Sequence, residues 1–395
     1  MAHKDLQPIV FVHGLAGWGG DAILNRVAPY WGGLEGSIPK YLGEQGYECY
    51  TASVGPFSSA WDRVCDLYAQ LSGTRTDYGV AHSAARGHAR YGKTYDRPLV
   101  PGWSEGRRIH LVGHSFGGTT IRLFAQLAEQ GCAEERGTTP EEELSPLFSG
   151  ALGGRVLSIT TFATPHNGST LLEPEVNGGE DAQALMVRMA QAAVIAPIGE
   201  KLYPIHMEQF GVSFSDFLQA PKKITGAVLS LKEIEDSAKT DLTVDGAAAL
   251  NETIRCQPGI YYFSYAALCT QLDLDSSQVP RKDMIFLLRG NAADMGRKRE
   301  PFRTAGGILI DDAWLPNDGQ VNLISALYPF NEPHQGYDPE NLRPGVWQTM
   351  PVIEGRDHIT CVGRVSVGGG GYLKKLYASA VNILETIPRT GSALG

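Results

Sequence analysis

The sequence predicts an α/β fold, a mainly parallel sheet covered by helices on both faces. Short apolar runs bounded by Gly, Pro or Ser recur along the chain, and helical periodicity fills the gaps between them. IVFVHG (9–14) reads as a buried strand ending in glycine, and YECYTASV (47–54) and RIHLVGHS (108–115) read the same way. FGGTTIRLFAQLAEQG follows directly. It puts Ile121, Phe124, Ala125 and Ala128 on one helical face, with Gly131 where a helix C-terminus wants a glycine. VLSITTFATP (156–165) and IYYFSYAAL (260–268) supply further strands. Between 170 and 240 the alternation stops. DAQALMVRMAQAAVIAPIG groups Leu185, Met186, Met189, Ala193 and Val194 on one face before Pro197 breaks it, and FSDFLQAPKKITGAVLSL is a second amphipathic piece. This stretch reads as a helical insertion on the sheet. With no internal repeat or low-complexity linker, the expectation is one domain over residues 1–395, carrying insertions.

Composition bounds the function. A chain of 395 residues with 43% hydrophobic and 19% charged residues can bury a sizeable core. The formal net charge of −9 and the lack of a long basic block argue against nucleic acid as a partner, and no run of 18 apolar residues could span a membrane. The six cysteines (Cys49, Cys65, Cys132, Cys256, Cys269, Cys361) are scattered without a CxxC pair, so free thiols are expected. The start, MAHKDLQPIVFVHG, has no leader pattern and reads as cytoplasmic, or as a chain whose leader was replaced by Met.

Gly113-His114-Ser115-Phe116-Gly117 fits G-x-S-x-G, between an apolar strand and an amphipathic helix. A serine in that turn must stand free of the backbone, and the glycines remove Cβ atoms where strand and helix meet. It needs a base, and the base needs an orienting carboxylate, in the chain order serine, acid, histidine of α/β-hydrolases. Downstream histidines are His166, His206, His334 and His358. His166 follows too closely to leave room for an acid, His206 belongs to the insertion, and His334 lies in a Pro/Asn/Gly-rich surface segment. His358, in MPVIEGRDHIT near the end of the chain, is the preferred base. Asp318, in WLPNDGQVN, is the preferred acid. Asp311 and Asp312 are close by, and Asp357 adjoins the histidine but should point elsewhere. For the oxyanion, the N–H groups of Phe116 and of Leu15, just after the first strand, are the expected donors. His13 reads as structural, holding that loop.

VHGLAGWG, GHSFGG, ATPHNGS, NDGQVN and DHIT, in this order and spacing, resemble the large zinc-containing bacterial lipases, the thermoalkalophilic bacillus and staphylococcal lipases among them. The likeness runs from about residue 8 to about 385. It implies an α/β-hydrolase with a helical lid at about 170–240, lipase activity on acylglycerols at an interface, the triad Ser115, Asp318 and His358, and a secreted protein. It also implies a structural zinc held by Asp62, His82, His88 and Asp241, on an excursion spanning about 60–95. Where many relatives bind calcium after the histidine, this chain reads HITCVGRVS; Thr360, Val365 and Ser366 lack the hard oxygen ligands calcium requires, so that site is expected to be lost. Two alternatives stay open: a carboxylesterase or polyester hydrolase with a more open cleft, and a non-catalytic binding protein on the same scaffold.

Overall fold

Seven strands form one parallel sheet: β1 (Ile9–Val12), β2 (Cys49–Ala52), β3 (Ile109–His114), β4 (Val156–Phe162), β5 (Tyr261–Tyr265), β6 (His334–Gly336) and β7 (Trp347–Thr349). Their order is β6-β7-β5-β4-β3-β1-β2. The structure, a computed structural model, describes residues 6–178, 204, 206, 208–210, 236–364 and 371–388. The apolar face expected at Leu185, Met186, Met189 and Val194 lies outside them. Among the described residues no helix is long and apolar enough to cross a membrane.

The strands are apolar on both sides because both faces are covered. In β1, Val10 and Val12 enter one core cluster while Ile9 and Phe11 enter the other. The second cluster is closed by α1 (Ile38–Glu44) and α8 (Tyr372–Leu384), the first by α2 (Ala60–Ser72) and α4 (Phe116–Gln130). Local sequence sets the limits of α2. The Ser59 hydroxyl accepts from Asp62 N at 3.2 Å at one end, and Gly73 takes a left-handed φ of 67° at the other. Gly131 ends α4 with φ 64°, as its position in the sequence suggested.

After α2 the chain leaves the sheet. Arg75–Asp77 pairs antiparallel with Tyr91–Thr94, and α3 (Val80–Arg86) sits between them. Helices α5 (Ala238–Leu242) and α6 (Val244–Thr253) then lead into β5, and α7 (Phe286–Gly296) precedes the acid-bearing turn. All six cysteines are free thiols; Cys65, Cys269 and Cys361 are buried.

The sheet order reverses between β1 and β3, because β2 lies on one side of β1 and β3 on the other. In open parallel sheets that reversal leaves a crevice beyond the C-terminal strand ends. Gly14 and Leu15 follow β1 there, and Ser115 follows β3.

Candidate active site and metal cluster

Ser115 has φ 55° and ψ −131°, outside the regions an L-residue prefers. The turn is held by Ser115 N donating to Phe162 O at 2.9 Å and Gly118 N donating to Ser115 O at 2.9 Å. Gly113 cannot be larger, since a Cβ there would lie 2.6 Å from the carbonyl carbon of Gly117. Gly14 is bound by the same constraint: its Cβ would meet Ser115 Cβ at 2.7 Å. The loop after β1 is therefore pressed against the serine.

Ser115 Oγ lies 2.8 Å from His358 Nε2, and His358 Nδ1 lies 2.8 Å from Asp318 Oδ2. All three residues are buried. The Asp318-Gly319 turn orients the Asp318 carboxylate. Asp318 Oδ1 accepts from Gln320 N at 2.9 Å and Val321 N at 2.7 Å, and Gly319 turns the chain at φ 93°. His358 N donates to Asp318 O at 3.0 Å, so acid and base are tied through backbone as well.

The other acids and histidines are used elsewhere. Asp357 accepts from Ile359 N, Thr360 N and Ile285 N at 3.0, 2.9 and 2.9 Å, bracing the turn that carries His358 against the start of α7. Asp311 caps Ala313 N at 3.0 Å, and Asp312 pairs with Lys298 at the surface. His166 Nε2 meets the Thr161 hydroxyl at 3.1 Å, His334 stacks on Tyr328, and His206 lies 3.7 Å from Asp21. His13 ties the loop after β1 together, through Nδ1 to Gly14 O at 2.9 Å and Nε2 accepting from Val54 N at 3.3 Å. Burial, then the nearby Arg63 charge, holds His13 well below the usual histidine range, so it stays neutral.

Among the described residues neither the Leu15 nor the Phe116 N–H meets an acceptor. Phe116 opens α4, where first-turn amides have no partner within the helix. Phe116 directly follows Ser115, and Leu15 follows Gly14, which is pressed against Ser115.

Tyr30 lies outside the motifs and His114 fills only the variable position of G-x-S-x-G, yet they join the two loops of the site. Gly14 N donates to Tyr30 Oη at 2.9 Å, Tyr30 Oη lies 2.6 Å from His114 Nδ1, and His114 Nε2 lies 2.9 Å from His358 O. A carbonyl can only accept, so His114 Nε2 carries the proton, its Nδ1 accepts, and Tyr30 donates to it. Burial, then the neighbouring His358, keeps His114 well below the usual range and therefore neutral. Tyr30→Phe would leave the Gly14 N–H and His114 Nδ1 unpaired in the interior. We expect kcat on a soluble ester to fall roughly tenfold and unfolding free energy to drop by about 1–3 kcal/mol. Steady-state kinetics and urea unfolding would show this; an unchanged kcat would mean the network does not set loop geometry.

A second cluster shares no residue with the Ser115–His358–Asp318 line. Asp62 on α2, His82 on α3, His88 after it and Asp236 place one ligand atom each within 4.8 Å of one another. Asp236 Oδ2 is 3.0 Å from His82 Nε2 and 3.2 Å from His88 Nε2, and Asp62 Oδ1 is 3.5 and 3.8 Å from the same nitrogens. Asp62 Oδ1 and His88 Nε2 are buried without a hydrogen-bond partner. Orphaned acceptors facing one point fit a bound metal ion. The surrounding contacts agree: His88 Nδ1 lies 2.9 Å from Ala89 O, leaving Nε2 as the free electron pair, and Gln209 Nε2 donates to Asp62 Oδ2 at 2.8 Å. Trp61 stacks on His82 at 4.9 Å and 13°. Glu135 caps α3, accepting from Ala81 N and His82 N at 3.1 and 2.8 Å.

The fourth expected ligand needs correction. Asp241 is not in the cluster; it sits on α5, where its Oδ2 accepts from Ala60 N at 2.6 Å and so caps α2. Burial pushes its carboxyl up to about 7. Asp236 takes the place instead, because Ser237 bridges Ser58 and draws the extended chain alongside the start of α2. Five residues further on, α5 has already turned its acid away. Of the calcium positions, Thr360 Oγ1 accepts from Asp357 N at 2.9 Å, while Val365 and Ser366 lie outside the described residues.

The family model of the lipase-like C-terminal domain matches residues 5–384. The chain is 34% identical over 400 residues to Lipase 2 of Staphylococcus aureus, covering 98% of this chain and 55% of that protein. It is 35% identical over 373 residues to a lipase of Staphylococcus epidermidis, covering 92% and 51%. It spans about half the length of these curated relatives. Among solved structures it resembles EstA from Clostridium botulinum, with TM-score 0.83, 32% identity and coverage of 99% of this chain and 89% of that one. It also resembles Staphylococcus hyicus lipase, with TM-score 0.81, 31% identity and coverage of 97% of each.

Proposed function

Because the chain belongs to the family of the lipase-like C-terminal domain and has its α/β-hydrolase-like fold, we propose that it is a serine ester hydrolase acting as a lipase. The observation that carries this is the line of two 2.8 Å contacts from Ser115 through His358 to Asp318. His358 takes the Ser115 proton as Oγ attacks the ester carbonyl, and the charge on the carbonyl oxygen falls to the N–H groups of Leu15 and Phe116. His358 then protonates the leaving alcohol and afterwards activates the water that releases the acid. The substrate is an acylglycerol presented at a lipid–water interface, and the protein is secreted, both by analogy with the lipases it resembles.

The metal is zinc. Two imidazole nitrogens and two carboxylate oxygens suit its tetrahedral preference, and four protein donors leave no position for substrate or activated water. Its part is structural: bound there, it cross-links His82 to Asp236 across 154 residues of sequence. The calcium site of related lipases is lost.

A dialkyl p-nitrophenyl phosphate will add one phosphoryl group per chain, on the peptide containing Ser115, and abolish hydrolysis of emulsified triacylglycerol. Labelling elsewhere with activity retained would sink the proposal. Turnover confined to short soluble esters would instead identify a carboxylesterase.

A further inference from the structure

Arg63 is fully buried on α2, one residue beyond the metal-site Asp62, and its hydrogen bonds reach both sides of the oxyanion site. Nη2 donates to His13 O, at the end of β1 and two residues before the Leu15 N–H. Nη1 donates to Gly55 O at 2.7 Å, and the adjoining Pro56 O accepts from Ala16 N at 3.0 Å, so the guanidinium and this turn grip the Leu15 loop from both ends. Nε donates to Thr120 Oγ1 at 2.8 Å, which donates in turn to Phe116 O at 3.0 Å. The guanidinium also lies over the Phe116 ring, 4.9 Å from its centre. One planar cation thus spans the peptide groups next to both expected donors.

The loop after β1 cannot hold this geometry unaided. Ala16 sits at φ 51°, a conformation an alanine adopts only when its surroundings impose it. Gly14 leaves it no side chain to pack on the serine side. A guanidinium suits the task because its donors point in fixed directions, whereas an ammonium is a point charge on a flexible stem.

We propose that Arg63 is a positioning residue for ester hydrolysis, setting the separation of the Leu15 and Phe116 N–H groups so that both meet the oxyanion. The proposal rests on the serine-hydrolase reading above. Arg63 touches neither substrate nor the reacting atoms, so it acts on the transition state through the two amides. Donor misplacement of this kind costs rate more than substrate binding.

The test uses Arg63→Gln and Arg63→Lys in the full chain, with active sites counted by end-point phosphonylation. On a soluble ester, kcat per site falls about 30- to 100-fold for Gln and about tenfold for Lys, with KM changed less than about threefold. The inhibition constant of an alkyl boronic acid, whose tetrahedral adduct puts an oxygen in the same hole, rises by the same factors. Parental kcat per site with only a lowered melting temperature would make Arg63 a structural brace and overturn the proposal. So would a lowered kcat with unchanged boronate binding. If the Gln variant does not fold, the Lys variant decides by the same two readouts. A Ser115→Ala control separates the two levels: full hydrolysis by that variant would overturn the serine mechanism, whatever Arg63 does.

Discussion

Asparagine in place of Asp318 will lower kcat on a soluble ester by about 10⁴-fold while leaving KM and the fold nearly unchanged. The reason is in the surroundings of the carboxylate. Oδ1 accepts from two backbone N–H groups, Gln320 and Val321, and Oδ2 faces His358 Nδ1. An asparagine must put its oxygen on the two amides, since its NH₂ cannot face donors, and the NH₂ then points at Nδ1. Nδ1 is forced to accept, the ring proton moves to Nε2, and Nε2 can no longer take the proton of Ser115 at 2.8 Å. The loss is of the correct tautomer rather than of geometry, so melting should stay close to the parent. Steady-state kinetics with a thermal melt on the same preparation check this. A kcat within tenfold of the parent would place the orienting acid elsewhere, and Asp357, Asp311 and Asp312 are already committed to other partners.

What was legible in the sequence follows from how local the signal is. β1, β3 and β4, the elbow at Ser115 and the end of α4 at Gly131 are written in runs of neighbouring residues, and the structure has them where the pattern put them. An order rule and a turn signal pick out His358 and Asp318, and the structure places both in line with Ser115. The three-residue strands β6 and β7 were not legible, since three residues carry no period and His334 reads as part of a surface loop. The fourth metal ligand was misplaced for a related reason. EIEDSAKTDL holds two aspartates of equal chemistry, and only the long-range bridge of Ser237 to Ser58 decides between Asp236 and Asp241. Tyr30 and Arg63 stood outside every motif, and His114 filled only the variable position of G-x-S-x-G. Their roles come from partners brought together by the sheet, and a buried arginine bonded to carbonyls looks, in sequence, like a surface one.

Stripping the metal will lower the melting temperature by several degrees without abolishing catalysis. An ion that binds only the folded state stabilises it by about 4 kcal/mol at a free concentration a thousand times its Kd. For a chain of this size that corresponds to roughly 5 °C. The effect is large because the four donors come from α2, from the excursion that carries α3, and from the segment entering α5; without the ion, buried Asp62 faces Asp236 with only the histidines between them. The catalytic consequence is indirect. None of Ser115, His358 and Asp318 belongs to the cluster, so chelation well below the melting point should cost about tenfold or less in kcat. That residual loss would travel through α2, where Asp62 and Arg63 are adjacent. Zinc added back should restore both melting and rate, whereas magnesium, which takes oxygen ligands in octahedral geometry, should restore neither. Chelator melts and rates at 25 °C would separate the cases. A collapse of more than about a thousandfold in kcat with the fold intact would mark the ion as catalytic, and unchanged melting would remove its structural role.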